Sequence, residues 1–185
     1  MNLQQINGFA RCAVGVAVRD ITPPVGIYAR SWGAARHDVA EGVHRPLTAS
    51  AAVLRPISGE GPELAIVAVD IGWFPYRPDE RRIRGAILEA TGLDEAALLI
   101  NMSHTHSGAN VNTQLSDRPG GELVAPYLER FVAEVSSAIA EARERAAPAW
   151  ITYGYGRCSL AANRDYWAAD LGRYICGYNP AGPAD

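Results

Sequence analysis

Lysine is absent: all 17 basic residues are arginine. Chemistry that needs an ε-amine, such as a P-loop phosphate site or a pyridoxal Schiff base, is therefore closed to this chain. Cysteine is scarce, and Cys12, Cys158 and Cys176 are an odd number without C-x-x-C spacing. Neither a thiolate zinc site nor a complete disulfide framework is indicated. Long apolar runs are missing too, since none approaches the roughly 18 residues of a membrane span. The opening MNLQQINGFARCAVGVAV has no basic segment leading into a continuous apolar stretch and a small-residue cleavage site. The expectation is a cytoplasmic protein with no transmembrane segment. The arginines are dispersed and the net charge is −3, so no basic stripe calls for nucleic acid.

What is present is ordinary globular material. With 48% hydrophobic and 20% charged residues, the composition excludes disorder and low complexity. A length of 185 residues is about one domain, at roughly 100–200 residues each, and no linker, repeat or charge block divides it. Residues 1–185 are therefore expected to form a single domain.

The apolar, β-branched run 12–18 reads as a strand closed by Arg19-Asp20, and Ile21-Thr22-Pro23-Pro24 forces a rigid loop because proline donates no ladder hydrogen bond. Runs 47–54 and 64–69 read as a hairpin around Ser58-Gly59-Glu60-Gly61-Pro62. The second of these is apolar on both faces, which predicts a central strand ending at Asp70. Pro78-Asp79-Glu80 starts a helix that Gly92 stops. Residues 96–102 read as another strand. Residues 123–145, with Val124, Tyr127, Leu128, Phe131, Val135 and Ile139 at helical spacing, form the clearest helix, ended by Pro148. Residues 150–155 read as a last strand and the tail as loop. Strand, helix, strand, helix, strand predicts an α/β fold: a mixed β-sheet with flanking helices, its middle parallel through right-handed crossovers.

Two of the four histidines, His104 and His106, stand one residue apart at the end of a predicted strand. In extended chain such residues leave the same face about 7 Å apart, so both imidazoles reach one small site. Neutral imidazole is a good zinc ligand, and a catalytic zinc takes three protein ligands plus an open position. The plainer reading is a pair of surface or hydrogen-bonded histidines. The small neighbours Ser103, Thr105, Ser107 and Gly108 tip the balance toward metal, because they let a ligand approach and can orient the rings. Asp70 offers a third ligand or a ring partner, though an ordinary strand-end aspartate is the favoured reading. His44 would join the cluster only if its strand neighbours the central ones, and His37 beside Asp38 reads as solvated. Asp20 reads as an Asx-turn residue. Arg164, after Asn163, is placed to reach over a pocket or, more plainly, to make a surface salt bridge.

In order along the chain, Asp20-Ile21-Thr22-Pro23, Gly42-Val43-His44-Arg45-Pro46-Leu47, the strand ending in Asp70, Ser103-His104-Thr105-His106-Ser107-Gly108, Asn163-Arg164 and Gly177-Tyr178-Asn179-Pro180 resemble the amino-terminal part of the neutral/alkaline, non-lysosomal ceramidase family. H-T-H-S-G after an apolar strand is the specific element. The resemblance implies zinc-dependent hydrolysis of the amide of an N-acyl sphingoid lipid. It assigns His104 as a Zn2+ ligand and places His106 and Arg164 in the active site. Three positions depart from the family pattern. Arg45 stands in H-D-P-L where the family commonly has aspartate, Ala109 replaces the proline of H-T-H-S-G-P, and Ser31-Trp32 stand where a glycine and a tyrosine are expected. The implied substrate thus widens to a related linear amide or lipid. The family's other zinc ligands and its serine come later than position 185, so the chain is expected to be the amino-terminal part of a longer hydrolase, inactive alone. Two other classes compete: another metal-dependent amidohydrolase, and a non-enzymatic binding module in which the histidines only tie loops together.

Overall fold

The computed structural model describes residues 4–31, 35–160 and 165–176, with residues 4–10 as backbone only. Two compact units emerge, Ala10–Ile151 and a smaller one formed by Met1–Phe9 with Thr152–Asp185.

A five-stranded sheet runs in the order β4-β3-β2-β1-β5, with β1 and β5 each contributing residues to both units. The strands are β1 (Gln4–Asp20), β2 (Thr48–Arg55), β3 (Leu64–Val69), β4 (Leu98–Met102) and β5 (Ala147–Tyr155). β1 pairs antiparallel with β2, β2 antiparallel with β3, and β3 parallel with β4. The predicted hairpin and the predicted parallel neighbours are both present. Helix α1 (Arg77–Thr91) supplies the crossover between β3 and β4. It stops where Gly92 turns left-handed at φ 67° and donates its N–H to the Leu88 carbonyl at 2.8 Å, a geometry that glycine adopts without steric cost. Helix α2 (Val124–Glu144) follows a 3₁₀ turn over Gly121–Leu123 and precedes β5.

Period-2 alternation explains how the sheet packs. Ala17, Ala51 and Val67 lie side by side across three strands and are buried, as are Ala49, Val53, Ala65 and Val69 on the same face. Their small size lets α2 lie close against β2 and β3, with Leu128, Phe131, Val135 and Ile139 filling the space and Ile83 and Ile87 of α1 closing the layer. Gly15 extends this row. A Cβ there would run into the backbone of Ala142 and Ala146, so the carboxyl end of α2 rests directly on β1. The alternate positions of β1, Val16 and Val18, are each 54% exposed.

Three expectations change. β3 does lie between two strands, but only one of its faces is covered: Ala68 points outward and is exposed. β5 lies beside β1 rather than beside β4, so α2 carries the chain to the opposite edge of the sheet. Finally, α2 ends at Glu144, and Pro148 already belongs to β5; loss of the apolar period after Ala142, not proline, ends the helix.

In the smaller unit the tail read as loop contains a hairpin of β6 (Asp165–Ala168) and β7 (Arg173–Cys176), closed by Leu171 N–H on the Ala168 carbonyl at 3.1 Å and by Gly172 at φ 60°. Trp167 and Tyr174 face each other across it with ring centroids 5.4 Å apart.

Candidate active site

The site lies at the carboxyl ends of β3 and β4, a parallel pair, and this is the end at which α/β sheets characteristically take ligands. Pairing continues past the last strand residues. Ser103 N–H donates to the Val69 carbonyl at 3.0 Å, and His104 N–H to the Ile71 carbonyl at 3.1 Å. Beyond that point the chain turns. His104 sits at φ 59°, in the left-handed region, which histidine visits more readily than most residues with a Cβ.

The two rings do meet, by a different route from strand alternation. Their centroids are 5.2 Å apart with planes inclined by 70°. Trp73, from the loop after β3, completes a triangle. It stacks on His104 at 5.2 Å and 24°, and meets His106 at 5.2 Å and 58°. Gly72 brings this tryptophan in, since a Cβ at that position would come within 2.8 Å of the Thr105 carbonyl oxygen. Both imidazoles are solvent-exposed. Trp73 was not evident as a site residue. Its signal was its place three residues after Asp70, at the end of the strand next to that of H-T-H.

His106 is oriented by its other neighbour. Its Nδ1 lies 3.1 Å from the Ser31 carbonyl oxygen, and because a carbonyl only accepts, Nδ1 carries the proton and Nε2 of the neutral ring carries the lone pair. The same loop is tied down by Asn110, whose N–H donates to the Tyr28 carbonyl at 2.9 Å and whose Nδ2 donates to the Arg30 carbonyl at 2.9 Å. Ser107 N–H donates to Thr105 Oγ1 at 3.1 Å. Among the described residues no group hydrogen-bonds the His104 ring.

Asp70 takes the structural role: its Oδ2 accepts both the N–H and the hydroxyl of Thr48 at 3.0 Å, clamping the start of β2. Asp20 forms the expected Asx turn, accepting Thr22 N–H at 2.7 Å. The hydroxyl and N–H of Thr22 hold its carboxyl below the usual aspartate range. His37 pairs with Glu41 at 3.0 Å on the surface. Arg164 lies outside the described residues.

The early motifs converge. Thr22 Oγ1 accepts Leu47 N–H at 2.9 Å, Ile21 N–H donates to the Leu47 carbonyl at 2.9 Å, and Tyr127 donates its buried hydroxyl to the Ile21 carbonyl at 2.9 Å. Side chains from the three loops, among them Thr22, Val25, Val43, Leu47 and Ser107, line one cavity of about 430 Å³, within the size range of small-molecule sites. His44 and His106 both contribute to its wall.

For zinc the donor chemistry fits and the count falls short. Two exposed imidazoles stand together, yet among the described residues no group of three or more His, Cys, Asp or Glu could hold a metal ion. A catalytic zinc needs a third protein ligand.

The fold class is thus a mixed α/β sheet with two helices covering one face and a histidine pair at its parallel end. No family model and no curated protein matches the chain. Among solved structures it is similar to a ceramidase complexed with C2, with a TM-score of 0.53 at 18% sequence identity, covering 74% of this chain and 22% of the ceramidase chain. The likeness is one of fold, and it extends over a fraction of that enzyme. No helix among the described residues is long and apolar enough to cross a membrane.

Proposed function

We propose that this chain forms part of a zinc-dependent hydrolase resembling neutral ceramidase, which cleaves the amide of an N-acyl sphingoid lipid or a related linear amide. The observation that carries the reading is the His104–His106 pair, rings 5.2 Å apart and exposed at the carboxyl end of β4. The fold likeness to part of a ceramidase supports it. In this reading His104 is a ligand of Zn2+, and the remaining ligands come from outside the described residues. His106, its Nδ1 held by the Ser31 carbonyl, acts in the active site near substrate. Arg164 holds the polarised carbonyl or a developing oxyanion. Zinc, when bound, lowers the pKa of its water to about 7 and polarises the amide carbonyl.

The test uses the complete protein that carries this chain, with zinc content and N-acylsphingosine turnover measured for wild type and His104→Ala. Loss of both in the variant is expected, and unchanged metal content would overturn the assignment. The missing third donor favours a second reading, a binding module without catalysis. Purified protein that carries no zinc and turns over no amide would select it.

A further inference from the structure

The 430 Å³ cavity has a composition that the histidine pair does not explain. Pro23, Val25, Val43 and Leu47 make its wall apolar, and the charge-bearing side chains that line it, Arg45 with His44 and His106, can only be cationic or neutral. Among the described residues no carboxylate lines it. The acids on neighbouring segments are engaged elsewhere: Asp20 with Thr22 and Arg130, Asp38 with Arg30 at 3.0 Å, and Glu41 with His37 at 3.0 Å. Arg45 itself is exposed and has no ion-pair partner among the described residues. A guanidinium stays charged at any physiological pH and matches a carboxylate with two parallel hydrogen bonds. An apolar wall that leads to an uncompensated guanidinium is complementary to an apolar chain ending in an anion.

We propose that this cavity binds a carboxylate-headed acyl chain, with Arg45 gripping the carboxylate and Val25, Val43 and Leu47 contacting the chain. Such a carboxylate has two sources, a free fatty acid or an N-acyl amide whose amine portion is acidic. The proposal does not depend on zinc or on hydrolysis.

The experiment is calorimetric titration of the metal-free full chain with decanoate, N-decanoylglycine, N-decanoylethanolamine and decanol. Tighter binding of at least one carboxylate than of both neutral probes is expected, and which carboxylate binds better identifies the source. Arg45→Gln, at an exposed position, should weaken carboxylate binding about tenfold or more, as expected for a lost charge-assisted pair, while leaving decanol unchanged. Val43→Trp, which fills the cavity from a position 52% exposed, should weaken every probe that binds. Equal affinity for carboxylate and alcohol, unaltered decanoate and N-decanoylglycine binding by Arg45→Gln, or no binding of any probe would each overturn the proposal. Because the protein is metal-free, these outcomes are separate from the zinc-content test of the hydrolase reading.

Discussion

His104 carries both a ring and a backbone strain, and two substitutions separate them. At φ 59° a residue with a Cβ pays roughly 1–2 kcal/mol that glycine does not. His104→Gly and His104→Ala both delete the imidazole and its stack on Trp73, an aromatic contact worth about 0.5–1.5 kcal/mol. Only the glycine variant also relieves the left-handed backbone. Glycine gains entropy in the unfolded chain, which works against it by about 0.4–1 kcal/mol where the native conformation suits both residues, but at positive φ the balance reverses. The expected result is that His104→Gly is more stable than His104→Ala by about 1 kcal/mol. With a urea m-value of about 1–3 kcal/mol/M, the unfolding midpoints should differ by roughly 0.5 M with equal m-values. An alanine variant as stable as the glycine variant, or more so, would refute the strain argument. Under the hydrolase reading zinc content should fall equally in both, because metal follows the ring whereas stability follows the Cβ.

Other perturbations follow from the same contacts. Asp79 is 4% exposed, and its carboxylate accepts the N–H and hydroxyl of Thr113 at 2.9 Å, so Asp79→Ala should cost about 1–3 kcal/mol in urea unfolding by stranding those donors; a change below half of that would count against the clamp. Gly72→Ala, which brings a Cβ within 2.8 Å of the Thr105 carbonyl, should destabilise by about 1–3 kcal/mol and move the H-T-H loop, read as altered amide shifts at Thr105 and His106 in a nuclear magnetic resonance spectrum. Burial raises the Tyr127 hydroxyl above its usual range, so its contribution is complete below the unfolded pKa of about 10 and is lost as pH rises toward the folded value. Tyr127→Phe should therefore be less stable at neutral pH and show a flatter alkaline limb. Asp20 runs the other way: its lowered folded pKa stabilises above the unfolded value of about 3.9 and fades as pH falls through the folded one, so Asp20→Asn should flatten the acid limb.

Local pattern made much of this fold legible. The β2–β3 hairpin and both helices were readable because their signals lie within a dozen residues: alternation, a glycine at the helix end, and apolar residues at helical spacing. The β6–β7 hairpin was not, because strands of four residues carry too little alternation to stand out. The position of β5 beside β1 depends on where α2 sets the chain down, which no local pattern encodes.

The histidine pair shows where such reasoning reaches its limit. Two residues apart in extended chain, the rings should leave one face of a strand, but the ladder runs out at His104 N–H and the backbone turns left-handed there. They still come within 5.2 Å because Trp73, contributed by the adjacent parallel strand's loop, gives both a surface to pack on. That tryptophan is 31 positions from His104 and becomes relevant only once β3 and β4 are known to be parallel neighbours. The cavity has the same character: the Thr22 hydroxyl and the Ile21 N–H each bond the main chain of Leu47 and lock two proline-bearing loops together, and the His106 loop closes the third side. Each motif alone reads as a turn. Their hydrogen bonds to one another place Arg45 and two imidazoles around an apolar space, so the chemistry resides in the pairing of the loops rather than in any one of them.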